Sequence, residues 1–179
     1  MTISQAIIKP ATFDDIEAIA TVHIQSWKET YPGTMPAQRI AALNLESCMR
    51  NWQRSLEAGS RVFVAVVDDT IVGFAAGDKN RSNEHCETGL GDKCDCELAA
   101  IYILKEHHHR GIGRALVKRF AQTMKEEGYR SMVIWVAEKN PATGFYAALG
   151  GEQVDRKFLM VCEEAIPVVA FRYDLQVVK

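Results

Sequence analysis

The stretch HHHRGIGRALVKRF, His107 to Phe120, decides how this chain folds. It sets a basic, glycine-punctuated loop against the first turn of an apolar-periodic helix. Gly111 and Gly113 are free to take positive φ angles and admit a ligand to the backbone, while the first helical N–H groups have no carbonyl partner of their own. Backed by the helix dipole, those donors favour a phosphate or pyrophosphate, and Arg110 and Arg114 add point charges beside them. To the left runs CELAAIYIL, Cys96 to Leu104, an apolar run that reads as a buried strand. Strand, basic Gly-x-Gly turn and helix therefore follow without a break.

Working outward, the helix extends from Gly111 to Glu127, with Ile112, Leu116, Phe120 and Met124 as its buried stripe. A strand at Ser131–Ala137, a short helix at Pro141–Ala148 and two final strands near Glu152–Phe158 and Val168–Leu175 follow. Upstream, QAIIK reads as an opening strand. Thr12 and Asp15 resemble a capping box, with Phe13, Ile16, Ile19, Ala20, His23, Ile24 and Trp27 at helical spacing behind it, so a first helix is expected over about 13–29. Tyr31-Pro32-Gly33 breaks it, and a second helical segment is expected from Pro36 to Ala58. RVFVAVV and TIVGFAAG, joined by Asp68-Asp69, read as a hairpin. Asp78 to Lys93 is polar and reads as a long loop, of the kind that often lines a site. Strand, helix and strand around the basic loop make one right-handed parallel crossover.

The chain has 179 residues, 47% hydrophobic and 25% charged, enough for one sizeable core, and a single domain over 1–179 is expected. A net charge of -2 provides no nucleic-acid-binding field. No apolar stretch reaches membrane-span length and no signal-peptide pattern opens the chain, so no membrane association and a cytoplasmic location are expected. Five cysteines, an odd number unevenly spread, suit free thiols in a reducing compartment.

This element order, together with ELAAIYIL, HHHRGIGRAL and NPATGFYAALGG, resembles the GCN5-related N-acetyltransferase (GNAT) family. The likeness in order covers almost the whole chain, and its specific part is Cys96 to Gly151. It implies an α/β fold, a mixed, twisted β-sheet flanked by helices with a central strand–loop–helix acetyl-CoA site, and transfer of an acetyl group from acetyl-CoA to an amine. The family's pyrophosphate loop, Gln/Arg-x-x-Gly-x-Gly/Ala, maps onto His108, His109, Arg110, Gly111, Ile112 and Gly113, with Arg114 beside them. His108 stands in place of the usual Gln or Arg, and Lys105 where a Pro is common. Family members pair the pantetheine amides with the preceding strand, here Ile101, Tyr102 and Ile103, chiefly through the backbone of the two isoleucines. Pantetheine spans about five residues of extended chain, roughly 17 Å, against roughly 23 Å from Glu97 to Leu104, so the thioester would lie partway along the strand toward Glu97. A bulge in this strand of the family prevents strict alternation from assigning faces.

The resemblance makes Glu97 the expected base, direct or through water, and Tyr146 the donor to the departing thiolate, with Asn140 touching the cofactor arm. Each has a plainer reading: a strand-end charge, a packed aromatic, and a helix cap before Pro141. No cysteine sits convincingly beside a base, so direct amine attack in a ternary complex is expected rather than a covalent route. The acceptor is expected to be a primary amine of a small molecule or a peptide, with peptide N-termini, polyamines and antibiotics left open. His23, Trp27 and Tyr31, at i, i+4 and i+8, border the acceptor side in this family, although core packing explains Trp27 equally well. Asp78, Glu84, Glu87 and Asp92 would suit a cationic acceptor, or be simply solvated.

His85, Cys86, Cys94 and Cys96 lack the spacing of paired CxxC knuckles, and no metal site is expected. A non-catalytic acyl-CoA sensor is the competing function. A nucleotide triphosphate site lacks its Gly-Lys-Ser/Thr. The closing strand VVAFRYDL offers an edge to a second copy, so a homodimer stays open.

Overall fold

The computed structural model describes residues 5–80 and 94–177. Strands β1 (Ile7–Pro10), β2 (Arg61–Val67), β3 (Thr70–Lys79), β4 (Cys96–Ile103), β5 (Ser131–Ala137), β6 (Glu152–Val161) and β7 (Glu164–Asp174) form one sheet in the order β1-β2-β3-β4-β5-β7-β6. Helices α1 (Ile16–Thr30), α2 (Ala37–Ala41), α3 (Leu45–Glu57), α4 (Ile112–Glu126) and α5 (Thr143–Ala148) flank it. All neighbouring strands are antiparallel except β4 and β5, so the sheet is mixed, as expected from the sequence. Two cores result. Ile112, Leu116, Phe120 and Met124 of α4 pack with Phe63, Cys96, Leu98, Met132 and Phe171 on one face. On the other face, Ile16, Ile19, Ala20 and Trp52 of α1 and α3 cover Val62, Val64, Phe74 and Ala76.

Several boundaries depart from the sequence reading. The segment expected as one helix from Pro36 to Ala58 is two helices. Asn44 takes an extended conformation and its side chain accepts from Ser47 N (3.0 Å), so a new helix is capped where continuity was expected. Asp78 and Lys79, read as loop, belong to β3. Of the remainder, Glu84, His85, Cys86, Glu87 and Asp92 lie outside the described residues. β6 and β7 are longer than expected and meet at a two-residue turn, Cys162-Glu163, with both φ angles positive (48° and 67°). Tyr31 N closes the end of α1 on Trp27 O (3.0 Å), which turns the chain at Pro32 as the sequence indicated.

β4 does carry a bulge. Ala76 faces Ala100 while Gly77 faces Leu98, which leaves Ala99 as the extra residue. The shift moves the apolar set of the strand: Cys96 and Leu98 pack toward α4, and beyond the bulge Ile101 and Ile103 do so, while Ala100 and Tyr102 pack toward α1 and α3. Gly77 permits this. A Cβ there would lie 2.1 Å from the Glu97 carbonyl oxygen and 2.6 Å from Phe120 Cζ.

Candidate active site

Where β4 leaves the bulge it also leaves β5. Their parallel ladder joins Cys96 to Met132 and Glu97 to Val133, after which β4 runs on beside β3 and β5 beside β7. A wedge therefore opens between the two central strands. Its β4 wall presents polar backbone. Leu104 N donates to Val72 O (2.9 Å), which makes that a hydrogen-bonded pair, and antiparallel alternation then turns the N–H and C=O groups of Ile101 and Ile103 away from β3 into the wedge. Tyr102, by the same alternation, spends its backbone on β3. Its side chain faces the α1 side and stacks on His23, centroids 4.9 Å apart at 14°.

The loop that follows is shaped for an anion. His109 and Gly111 both have positive φ (60° and 78°), and Gly111 is the N-cap of α4. Ala115 N is bonded to Gly111 O (3.1 Å), so the N–H groups of Ile112, Gly113 and Arg114 precede the first intrahelical bond and point out of the helix. Arg110 and Arg114 are exposed beside them. Gly113 itself is helical rather than positive in φ. Its requirement is space: an added Cβ would lie 3.1 Å from Phe145 Cζ and 3.3 Å from Ile103 Cδ1. His108 reaches back to Ile103 O through Nε2 (2.9 Å), and Glu29 Oε2 accepts from Lys105 N (3.0 Å), so both α1 and the loop's own imidazole hold the cradle against the strand.

Glu97 lies at the vertex of the wedge, 3% exposed. A carboxylate this buried is not the solvated strand-end charge of the plainer sequence reading. Asn140 and Tyr146 stand on the opposite wall, after β5. Asn140 Oδ1 accepts from Ala142 N (2.9 Å), the capping role, while its amide NH2 serves the Tyr31 hydroxyl with one N–H and has a second to offer. Tyr146 is buried, its carbonyl accepting from the Tyr173 hydroxyl (2.8 Å), and burial pushes its phenol well above the ordinary range. Tyr31, at the end of α1, interacts with the side chains of Tyr102 and Asn140, and burial raises its phenol also. The chain thus brings Glu97, Ile101, Ile103, His108 to Arg114, Asn140 and Tyr146 around one opening.

On the α1 side lies a group that the spacing of His23, Trp27 and Tyr31 only began to indicate. Trp52 Nε1 donates to His23 Nδ1 (3.1 Å), and Phe74 and Trp27 complete the surround. Trp52, Phe74 and Arg39 come from other elements and carried no local signal. Cys48 Sγ lies 3.6 Å from His23 Nδ1, but that nitrogen already accepts from Trp52, and burial raises the thiol. Cys94 and Cys96 are buried with raised thiols as well. Among the described residues no group of three or more His, Cys, Asp and Glu could hold a metal ion, and no described helix is long and apolar enough to cross a membrane.

A sequence profile of the Acetyltransferase (GNAT) family matches residues 19–150. The chain belongs to this family. It is 36% identical over 149 residues to the uncharacterized N-acetyltransferase YuaI of Bacillus subtilis, covering 82% of this chain and 80% of that one. It is also similar to a spermidine N(1)-acetyltransferase of Thermoplasma acidophilum, 26% identical over 144 residues, 77% of this chain and 81% of the relative. Among solved structures, PaiA N-acetyltransferase of Thermoplasma acidophilum in complex with coenzyme A matches with a TM-score of 0.67 at 20% identity, covering 94% of this chain and 99% of that one. YncA of Salmonella typhimurium with acetyl-CoA matches at 0.71 and 16% identity, over 96% and 95%. These two likenesses establish the fold. As a GNAT member the protein is an N-acetyltransferase that takes its acetyl group from acetyl-CoA. The residues of the wedge fit that donor: an open strand edge for the peptide-like pantetheine, and a left-handed loop with free helical N–H groups for the pyrophosphate.

Proposed function

We propose that the enzyme acetylates a primary amine, on a small molecule or a peptide, by direct attack within a ternary complex. The observation that carries this reading is the wedge between β4 and β5, which puts a strand edge, an anion cradle, a buried carboxylate and a buried phenol around one opening. Ile101 and Ile103 offer their outward backbone groups to the pantetheine amides. The N–H groups of Ile112, Gly113 and Arg114, with His109, Arg110 and Arg114 nearby, hold the pyrophosphate, and the Asn140 amide contacts the arm between. Bound acetyl-CoA supplies the activated acyl carbon.

An alkyl amine with pKa about 10.4 is protonated at pH 7, and freeing its lone pair costs about 4 to 5 kcal/mol. Glu97 accepts that proton, directly or through one water. The amine nitrogen bonds to the acyl carbon, the adduct gives up its second ammonium proton to water, and the carbon–sulfur bond breaks with the electron pair left on sulfur, so that a neutral amide and the CoA thiolate result. Tyr146 donates a hydrogen bond to that sulfur. Full transfer is uphill already for a free phenol and thiol, by about 2 kcal/mol, and burial makes the Tyr146 proton harder still to remove. Against a covalent route, the thiols of Cys48, Cys94 and Cys96 are buried and their ionisation is suppressed.

The test is CoA thiol release from acetyl-CoA over a panel of primary amines, with intact-protein mass measured after acetyl-CoA alone. Acceptor-dependent release with an unmodified protein mass is expected. Tight acetyl-CoA binding with no release from any amine would favour a sensor, and a 42 Da adduct surviving removal of acetyl-CoA would favour a covalent intermediate.

A further inference from the structure

Arg39, on α2, places its guanidinium 5.1 Å from the centre of the Trp27 ring. It is half-buried, and among the described residues no carboxylate lies within salt-bridge reach of it. A guanidinium held on an aromatic face without a counter-ion keeps its forked N–H donors available. Beside it, His23 Nδ1 accepts from Trp52 Nε1, so the imidazole is the Nε2–H tautomer, a second donor with no acceptor among the described residues. The nearest carboxylate along α1, Glu29, is committed to Lys105 N and Gln25 Nε2. This wall is therefore rich in donors and poor in anions.

It also leads into the reaction centre. Trp27 packs on Tyr31 with ring centres 4.6 Å apart, Tyr31 interacts with Tyr102 and Asn140, and His23 stacks on Tyr102 of the wedge strand. A molecule with its amine near Glu97 would extend along this aromatic surface and end at Arg39. A simple polyamine would bring a second ammonium to a guanidinium that has no counter-charge. An amine with an anionic tail would meet the donors it needs.

We propose that the acceptor is a primary amine that also carries an anionic group, a carboxylate or a phosphate, and that Arg39, held by Trp27 and flanked by His23 Nε2–H, is the specificity residue that binds it. This inference rests on the acetyl-transfer function proposed above. It sets the enzyme apart from a relative named for spermidine.

The experiment compares kcat/KM for matched amines that differ by one anionic group: cadaverine against L-lysine and putrescine against L-ornithine for the carboxylate, ethanolamine against O-phosphoethanolamine for the phosphate. In at least one pair the anionic member should exceed its partner tenfold or more, and which pair responds distinguishes carboxylate from phosphate. Arg39→Met should bring that ratio to near one through a raised KM of the anionic member, and Arg39→Lys should restore part of it. A thermal midpoint of each variant separates loss of recognition from loss of fold. Equal or better use of the cationic members, or a ratio that survives Arg39→Met, overturns the inference while leaving acetyl transfer standing. Absence of thiol release from every amine overturns both.

Discussion

Gly113 and Phe145 meet at the mouth of the wedge so closely that a Cβ on the glycine would stand 3.1 Å from the phenyl Cζ. The contact joins the first turn of α4 to α5, with Ile103 at the third corner, so the anion cradle and the Tyr146 helix are set by one packing point. Gly113→Ala should push the loop by a few tenths of an ångström, raise the KM for acetyl-CoA about tenfold and cost about 1 kcal/mol of stability. Gly111→Ala tests a different term. Nothing lies within 4 Å of a Cβ there, but φ is +78°, and the left-handed conformation costs about 1 to 2 kcal/mol for alanine. Gly111→Asn should recover part of it. Unchanged acetyl-CoA kinetics in Gly113→Ala would show that the contact does not set the cradle.

Tyr146→Phe isolates the hydrogen bond proposed to reach the leaving sulfur. Removing one such donor should lower kcat by about 10- to 100-fold and move the KM for acetyl-CoA little. Because burial raises the phenol, it remains a proton donor throughout the neutral range, and no limb of the wild-type pH–rate profile should disappear in the variant. A variant that loses KM and thermal stability but retains kcat would make Tyr146 a packing residue.

His23 makes stability sensitive to acid. Burial, aided by Arg39, lowers its pKa from 6.5 to about 4. As pH falls below 6.5 the unfolded chain takes the proton first, and the native chain takes it only near 4. The stability this group contributes is therefore intact above 6.5 and lost through the window down to 4, by about 3 kcal/mol in all. Urea unfolding at pH 7, 5.5 and 4 should show that decline in the wild type and a flatter one in His23→Gln, which starts lower because Trp52 Nε1 changes its acceptor. Parallel declines in the two proteins would assign the acid sensitivity elsewhere.

What was legible in advance follows the range of each interaction. The strand at 96–104, the loop and α4 rest on local periodicity and glycine chemistry, and the structure keeps them within a residue or two. Glu97, the loop and Tyr146 were legible together only through the family resemblance, whose motifs all fall between Cys96 and Gly151. The break at Asn44 competes with an apolar pattern that continues across it, so the cap was hidden. The aromatic cluster on the α1 side was half visible. Helical spacing aligned His23, Trp27 and Tyr31, but Arg39, Trp52 and Tyr102 reach it from three other elements, and no window of sequence contains that meeting.

The Cys162-Glu163 turn was missed for a chemical reason that also makes it improvable. Two positive φ angles call for Asn-Gly, whereas this turn has neither residue, and Pro167 nearby weakens the strand signal of β7. Replacing the pair with Asn-Gly should stabilise the protein by about 1 kcal/mol without altering kcat, since β6 lies at the far edge of the sheet. A urea midpoint at constant slope measures it. No gain would mean that the exposed Cys162 side chain supports the turn in a way its backbone does not reveal.

His108 supports the donor site through the strand edge. Its Nε2 lies 2.9 Å from Ile103 O, a carbonyl that alternation turns into the wedge, so the imidazole ties the loop to β4 just above the backbone groups proposed to pair with pantetheine. Since Nε2 must carry the proton to donate to a carbonyl, the interaction survives in either charge state of the ring. His108→Leu should therefore loosen the loop and raise the KM for acetyl-CoA severalfold across the whole pH range from 6 to 9, with kcat for a saturating amine largely preserved. His108→Gln, whose amide N–H can replace the donor, should restore most of the affinity. If instead the KM effect of His108→Leu grows only as the pH falls, the residue acts by its charge on the pyrophosphate and not by holding Ile103.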